Sequence, residues 1–364
     1  MTTVFKAFKH TKLFKHCISN HLYKSTAAIP NPPYKVLFFG SDKFALVCLQ
    51  KLYQDLLSPE HPIVSRLEVV YLPQSKGQEL AVQKFAQKAK LPIHEWKQIQ
   101  NVEEFDVGVV VSFGKLIPRS LIKSFPCKMI NVHGSLLPAL RGAAPIARAI
   151  EAGHKETGVT VIQIKPSHFD HGKVLAQSKP VTISDQTFAF ETYEKLATIG
   201  AELCIEVLTD LPSKLANARE QDQSGVTQAP RLTLNDTLIN FQTMTSTDIW
   251  NKYRAFGDQK YFLLRCMFQE QMVKLAEIKQ CSESQARVVA EDALPGQVFF
   301  HVPTKTLITK CKSGYIGCTK LIIQSKVILA QDFKNGYLQR ELKKGKTVFF
   351  TACEPIKTTA KQTS

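Results

Sequence analysis

The chain has 364 residues and a hydrophobic content of 44%, which suffices for about two domains with buried cores and excludes wholesale disorder. Its nine cysteines are odd in number and include no CxxC pair, which disfavours both a disulfide framework and a structural zinc site and favours a reducing compartment. Because no stretch approaches the roughly 20 apolar residues of a membrane helix, we expect no membrane anchor. We also expect no metal.

The formal net charge of +16 is unevenly distributed along the chain. Residues 1–33 contain five lysines and no acid, and residues 301–364 carry a net charge of +9. Basic segments attached to a nearly balanced body indicate an anionic partner, RNA first and a membrane surface second. An ordinary solvated surface is the alternative interpretation.

The first segment, residues 1–33, lacks the apolar core of about 7–15 residues that a secretory signal contains. Its cationic, hydroxylated and acid-poor composition is typical of mitochondrial presequences. We therefore predict a presequence that directs the protein to the mitochondrial matrix, with a disordered basic arm as the alternative.

Residues 34–210 alternate between apolar runs and helical patterns. Runs at 36–39, 67–71 and 107–111 predict buried strands, and helical periodicity follows the first two of them, at 44–52 and 80–89. This alternation predicts an α/β catalytic domain with a doubly wound, mostly parallel, Rossmann-like sheet. The first strand–helix turn lacks GxGxxG, so a dinucleotide is not indicated.

The apolar run 127–130 predicts another strand, and the polar pair Asn131 and His133 follows where that strand ends. Two residues apart on an extended chain, these side chains point to the same face. In open parallel sheets ligands bind at the carboxyl ends of the strands, so the pair is a candidate site. The alternative is a loop with a hydrogen-bonded core histidine.

Further strands are predicted at 159–164 and near Val174, and a Gly-terminated loop between them contains Asp170. Taken alone, Asp170 fits ordinary turn chemistry. A long amphipathic helix is predicted over 188–208.

The polar segment 211–232 predicts a linker. In 233–354 a helix at 249–256 precedes short alternating strands without intervening helices, which predicts a smaller C-terminal β-barrel of OB-like type. Residues 355–364 predict a loose tail.

An amide, an imidazole and a carboxylate together suit the transfer of an acyl group to an amine. Asn131 can donate to the developing oxyanion, and His133 can donate to it or accept the amine proton. A carboxylate bonded to His133 would fix its tautomer. Because no GxSxG elbow or other nucleophile motif accompanies the histidine, direct transfer is favoured over an acyl-enzyme.

The segments Asn-Val-His-Gly-Ser-Leu-Leu-Pro (131–138) and Arg-Gly-Ala-Ala-Pro-Ile (141–146) closely resemble the signature of the methionyl-tRNA formyltransferases. Similar pieces occur at 39–45, 113–118 and 156–160, and the resemblance spans roughly residues 34–340. Together with the basic leader, the chain resembles the mitochondrial form.

The resemblance implies 10-formyltetrahydrofolate as the donor co-substrate and the methionyl amino group of initiator tRNA as the acceptor. It implies that Asn131, His133 and Asp170 are catalytic, that the second domain binds tRNA, and that the protein is a monomer without an obligate protein partner. The residues implied in folate binding are Ser135, Leu136, Leu137, Pro138, Phe113, Gly114 and Ile117. The candidate tRNA contacts are Lys76, Arg141 and Lys173.

Two departures from the family pattern stand out. Around the catalytic carboxylate the family usually has Leu-Asp-Thr-Gly-Asp, whereas this chain has Phe-Asp-His-Gly-Lys at 169–173. The cation at Lys173 either alters the surroundings of Asp170 or contacts tRNA phosphate. The basic loop after the second strand is reduced to 74–77, where Lys76 is the single basic residue.

Other functions share the same core residues. Relatives formylate a small-molecule amine or release the formyl group to water, and the Asn-x-His pair does not separate these reactions. From a different class, an inactive folate- or RNA-binding module is motivated by Lys173 alone.

Overall fold

The computed structural model describes residues 29–73, 79–99, 102–257 and 261–356. Most of the predicted presequence, the loop containing Lys76 and most of the predicted tail lie outside these residues. In the described part, no helix is both long and apolar enough to cross a membrane.

The catalytic domain is built around a seven-stranded sheet with the order β3-β2-β1-β4-β5-β7-β8. The first five strands pair in parallel, and β7 and β8 extend the sheet in antiparallel fashion. The strands are β1 (Tyr34–Gly40), β2 (Val64–Tyr71), β3 (Ile93–Glu95), β4 (Val107–Val111), β5 (Met129–His133), β6 (Glu156–Thr157), β7 (Thr160–Gln163), β8 (Val174–Gln177) and β9 (Val181–Thr182).

The helices of this domain cover both faces of the sheet, so the predicted doubly wound α/β architecture is confirmed. Asp42 begins the first helix by accepting a hydrogen bond from the Ala45 amide at 3.0 Å. The helices are α1 (Lys43–Leu56), α2 (Ala81–Lys88), α3 (Arg119–Ser124), α4 (Pro145–Glu151), α5 (Ala189–Thr209) and α6 (Leu211–Ala216), with 3-10 turns at Trp96–Gln98, Val102–Glu104 and Gln223–Gly225.

The C-terminal domain is an antiparallel sheet with the order β12-β13-β14-β11-β10-β16, to which β15 adds beside β14. Its strands are β10 (Leu264–Phe268), β11 (Gln271–Gln280), β12 (Val298–His301), β13 (Thr306–Lys310), β14 (Tyr315–Ile323), β15 (Lys326–Leu329) and β16 (Phe350–Thr351). Its helices are α7 (Ser246–Phe256), α8 (Glu283–Ala286), α9 (Ala330–Phe333) and α10 (Gln339–Leu342), with a 3-10 turn at Leu234–Thr237 and a π-helical turn at Lys334–Leu338.

The sheet of the C-terminal domain curls until its ends meet. The Val298 amide donates to the Val348 carbonyl at 2.9 Å, and the Phe350 amide donates to the Gly296 carbonyl at 2.8 Å. These bonds join the last strand to the beginning of β12, on the far side of the sheet. The predicted smaller β-barrel is thereby confirmed as a curled antiparallel sheet.

The segment 211–232 is more ordered than the predicted linker. It begins with helix α6, whose Leu211 is fully buried and therefore anchors the helix to the catalytic core. Farther along, the Arg141 amide donates to the Thr227 carbonyl at 2.9 Å and the Ala229 amide donates to the Arg141 carbonyl at 2.6 Å. These backbone hydrogen bonds attach the segment to the catalytic domain despite its polar composition.

The two domains share one hydrophobic core. Ala147 and Ile150 of α4 belong to the same buried cluster as Trp250 and Phe256 of α7. The Trp250 indole also donates to the carbonyl of Asp185, in the catalytic domain, at 2.8 Å. Because buried side chains of both domains pack together at this contact, it holds the second domain in a defined position beside the first.

We predict that Trp250→Ala lowers the free energy of unfolding by about 3–5 kcal/mol, because it removes buried aromatic area and one hydrogen bond at the domain contact. Urea unfolding followed by circular dichroism measures this loss. The control Val302→Ala alters a side chain that is 66% exposed and should change stability by less than about 0.5 kcal/mol. Equal effects of the two substitutions would contradict the shared core.

Candidate active site

A cleft of about 780 Å³ opens at the carboxyl ends of β1, β4 and β5. Asp42, Ser112 and His133 mark these three strand ends in its wall, and Arg231 and Phe262 line it from beyond the catalytic domain. This volume lies within the range of about 300–1,000 Å³ that is common for small-molecule sites. The cleft is therefore the candidate active site.

Asn131 and His133 belong to β5, and His133 is its last residue. The sequence predicted instead that the pair follows the end of the strand. The predicted alternation holds nonetheless, because both side chains line the cleft. His133 is only 6% exposed, and its strand is paired on both sides. The imidazole is thus held on a rigid element.

The ring of His133 has a defined tautomer. Its Nε2 lies 2.9 Å from the Leu140 carbonyl, which can only accept, so Nε2 carries a hydrogen. Its Nδ1 faces Asp170, 3.5 Å from Oδ1. The backbone carbonyl, and not the carboxylate expected from the sequence, therefore sets the tautomer.

Asp170 completes the predicted group of three. Its Oδ1 lies 3.4 Å from Asn131 Nδ2, and its Oδ2 accepts from the Gly142 amide at 2.9 Å. The residue has a φ of +58°, a left-handed conformation that Asp tolerates better than most residues. The structure thus brings the three side chains together, with the carboxylate facing both partners.

Two glycines allow the backbone around Asp170 to pack closely. A Cβ at Gly142, whose φ is +132°, would clash with the carbonyl of Ala229, and a Cβ at Gly172 would clash with the carbonyl of Gln163. Both positions are therefore restricted to glycine by space, and Gly142 is also restricted by its backbone conformation.

A buried polar network that the sequence did not reveal holds the Asp170 loop, defined here as residues 164–173. Gln221 Nε2 donates to the carbonyls of Asp170 at 2.7 Å and of Gly172 at 2.8 Å. Its Oε1 accepts from Arg141 Nη2 at 2.6 Å and from Nε at 3.1 Å. A glutamine in a polar segment carries no sequence signal for such a role.

Arg141 was a predicted tRNA contact, but it is only 3% exposed. Burial lowers the pKa of its guanidinium, and the nearby charge of Asp170 opposes that shift. Arg141 therefore has no free surface for a phosphate, and its observed contacts are with Gln221 and His171. Arg141 thus lies in a supporting position behind the Asp170 carboxylate, and not at the surface where a tRNA contact was predicted.

His171 and Lys173, which stand where the family usually has Thr and Asp, differ in their surroundings. His171 lies beside His168, with ring centroids 5.1 Å apart, and Arg141 Nη1 is 3.4 Å from its ring nitrogens. Burial, followed by the positive charges of Arg141 and His168, lowers the pKa of His171. Lys173 is exposed and lies 3.4 Å from Glu220.

The predicted folate residues divide into two groups. Phe113, Gly114 and Ile117 line the cleft. Ser135, Leu136, Leu137 and Pro138 do not line it: the Ser135 hydroxyl donates to the Ala139 carbonyl at 2.7 Å, and the Leu137 amide donates to Thr160 Oγ1 at 3.0 Å. Folate contact by this second group stays a prediction. The observed hydrogen bonds hold the loop that follows β5 in place.

The sequence also missed a half-buried acid and phenol in the cleft wall. Tyr193 accepts a hydrogen bond from the Phe44 amide at 2.7 Å, beside Asp42. Burial raises the pKa of both groups. Among the described residues, no group of three or more His, Cys, Asp and Glu is arranged to hold a metal ion.

Family comparisons agree with this geometry. The family described as formyl transferase matches residues 35–208, and formyl transferase, C-terminal domain, matches residues 231–338. The mitochondrial methionyl-tRNA formyltransferase of Rattus norvegicus is 35% identical over 334 residues, which cover 91% of this chain and 86% of the relative. The Homo sapiens protein of the same name is 36% identical, with coverage of 84% and 78%.

Solved structures show the same fold. The sugar 3N-formyl transferase WlaRD, determined with dTDP and 5-N-formyl-THF, aligns with a TM-score of 0.58 and 20% identity, covering 80% of this chain and 98% of that one. HypX from Aquifex aeolicus, in complex with tetrahydrofolic acid, aligns with a TM-score of 0.53 and 16% identity, covering 84% and 48%. At these identities the likeness concerns the fold alone.

We predict that Gln221→Leu lowers kcat about 100-fold in an assay of the formyl transfer that the sequence resemblance implies. Leucine would leave the Arg141 guanidinium and two loop carbonyls without their partner, and a shift of about 1 Å in a catalytic group costs about that factor.

The matched control is Gln223→Leu. Within the described part of the chain, the side-chain amide of Gln223 donates a hydrogen bond to the Gln221 carbonyl alone. A purely structural role of Gln221 would lower stability and leave kcat of the folded fraction unchanged. That result would contradict the positioning role.

Proposed function

The chain belongs to the methionyl-tRNA formyltransferase family, and we propose that Asn131, His133 and Asp170 catalyse its reaction by direct transfer. The formyl group passes from 10-formyltetrahydrofolate to the amino group of methionyl-tRNA. The observation that carries the catalytic proposal is the convergence of amide, imidazole and carboxylate at one edge of the sheet.

The three side chains divide the work by their chemistry. Attack by the amine places negative charge on the formyl oxygen, and the Asn131 Nδ2–H group can donate to it; one such donor contributes about 3 kcal/mol. His133 Nδ1 is the nitrogen that takes the amine proton, because Nε2 is committed to the Leu140 carbonyl. Asp170 faces the imidazolium so formed and stabilises its charge. The tetrahedral intermediate then collapses: the bond between the formyl carbon and N10 of the donor breaks, the proton on His133 Nδ1 passes to N10, and tetrahydrofolate leaves.

The donor fits the apolar side of the cleft. Phe113, Ile117 and Ile122 line it, and Trp96 packs edge-on against Phe113 with centroids 5.1 Å apart. An apolar wall beside a few polar groups is the usual composition of a small-molecule site. This composition supports placing the folate ring system there, with the formyl group toward β5.

The tRNA body fits the C-terminal domain. Residues 301–364 carry a net charge of +9, and four of the eleven lysines there, Lys310, Lys320, Lys326 and Lys334, belong to described strands and helices. Such a surface would bind phosphates with salt-sensitive affinity. We propose domain bounds of 34–210 and 233–354, a monomer, and initiator methionyl-tRNA as the substrate.

Competing reactions use the same three residues. Water in place of the amine would give free formate, and a small-molecule amine would give a different product. The relatives that support the tRNA reaction are 30–36% identical over most of this chain, whereas the sugar enzyme is 20% identical. An inactive module is disfavoured because all three catalytic residue types are present.

The acid-free leader and the mitochondrial relatives support a mitochondrial location, and we propose the matrix, where the enzyme would serve translation initiation. Fusing residues 1–33 to a fluorescent protein should direct it to mitochondria, because cationic, acid-poor segments are imported. A matched fusion with Lys6, Lys9, Lys12, Lys15 and Lys24 changed to Gln should remain outside. Equal distribution of both fusions would contradict the presequence.

We predict that the wild-type protein forms formylmethionyl-tRNA from donor and charged tRNA, and that His133→Ala lowers kcat by about 100- to 10,000-fold, the usual contribution of a general base. Product is measured by acid-gel separation of formylated and free tRNA. The control His154→Ala replaces a histidine outside the cleft lining and should leave kcat within about twofold. An active His133→Ala enzyme, or formate release independent of tRNA, would contradict the proposal.

A further inference from the structure

The acceptor of the proposed reaction constrains what lies at the mouth of the cleft. In an aminoacyl ester, only the Cα and carbonyl carbons separate the amino group from the oxygen of the terminal ribose. When the amine reaches Asn131, His133 and Asp170, the terminal nucleoside must therefore lie immediately outside them. The inference below rests on the proposed function.

Phe169 is the large apolar side chain next to this position. It directly precedes Asp170, lines the cleft and is 54% exposed. An exposed phenyl ring at the mouth of a polar site gains little from packing within its own chain. Aromatic rings in such positions bind nucleobases by stacking, without a requirement for one particular base.

The Asp170 loop presents this ring on a rigid support. Gln221 holds the carbonyls on either side of His171, and Asp170 and Ser167 are fixed in left-handed conformations with φ of +58° and +74°. A loop whose backbone is held in advance loses little conformational entropy when a ligand binds. The backbone that presents Phe169 is therefore preorganised.

The charge around Phe169 suits the phosphates that join terminal nucleotides. Lys165 and Arg231 are exposed and line the cleft on the loop side and on the side of the interdomain segment. Burial, followed by the positive charges of Arg141 and His168, lowers the pKa of His171, while the carboxylate of Asp170 opposes the shift and Lys165 adds to it.

We propose that Phe169 stacks on a base of the single-stranded 3′ end of methionyl-tRNA, while Lys165 contacts an adjacent phosphate. The loop thereby reads the acceptor end, a task for which the short 74–77 loop offers only Lys76. The donor and acceptor then approach the catalytic residues from opposite walls of one cleft.

The experiment compares kcat and KM for both substrates in the wild type, Phe169→Ala, Phe169→Leu and Phe169→Trp. We expect Phe169→Ala to raise KM for methionyl-tRNA about tenfold and to leave KM for the donor within about twofold. Phe169→Leu keeps apolar bulk without a π face and should fall between alanine and wild type. Phe169→Trp should restore the wild-type value, because indole stacks as well as phenyl does.

A second substrate localises the effect to the acceptor end. A methionylated 3′-terminal trinucleotide lacks the tRNA body, and its KM should rise by a similar factor in Phe169→Ala. Lys165→Gln should reduce the slope of log(kcat/KM) for tRNA against log salt concentration by about 0.7.

The matched control is Phe190→Ala, which removes another exposed phenyl ring, 46% exposed, that does not line the cleft. It should leave both KM values unchanged. A wild-type protein without activity on methionyl-tRNA would contradict the proposed function itself. An active wild type whose Phe169→Ala variant keeps its KM for tRNA, or loses affinity for the donor instead, would overturn the stacking platform alone.

Discussion

The hydrogen bond from His133 Nε2 to the Leu140 carbonyl determines how the active site can work. It commits one ring nitrogen to the protein, so the other must perform any proton transfer and must be the one beside Asp170. The carbonyl is available because residues 139–141 turn back over the end of β5. The cis Leu137–Pro138 bond and the glycine at 142 belong to the same turn. The backbone conformation of residues 139–141 thus determines which ring nitrogen of His133 is free to react, more than the neighbouring side chains do.

Asp170 has no regular secondary structure to hold it and depends on buried polar contacts instead. Its carboxylate is held by the Gly142 amide, and its carbonyl is held by Gln221, which is in turn bonded to Arg141. Buried polar groups are favourable only when their partners are all present. The segment 217–230 supplies Gln221, so the connection between the domains also supports the candidate active site.

The sequence predicted what periodicity and local spacing can encode. The buried run 107–111 became β4 without change, and the alternation of Asn131 and His133 on β5 gave the orientation of both side chains. It could not predict the role of Gln221 or the burial of Arg141, because both depend on contacts across 49–80 positions of sequence. A charged residue beside a catalytic motif favours a substrate contact on composition alone, and only tertiary structure reveals that Arg141 faces inward.

The shared core of the two domains gives the arrangement a functional consequence. Because α7 packs against α4, the interdomain residues Arg231 and Phe262 are held as one wall of the cleft whose other wall contains the Asp170 loop. A wall provided by a flexibly tethered domain would have to be ordered each time the acceptor bound, at a cost in affinity. Docking of the domains thus fixes the width of the cleft. The surface proposed to hold the tRNA body and the site proposed to receive a single amino group are thereby kept at one constant separation. Free energy of binding at the surface can therefore help to position the amino group in the site.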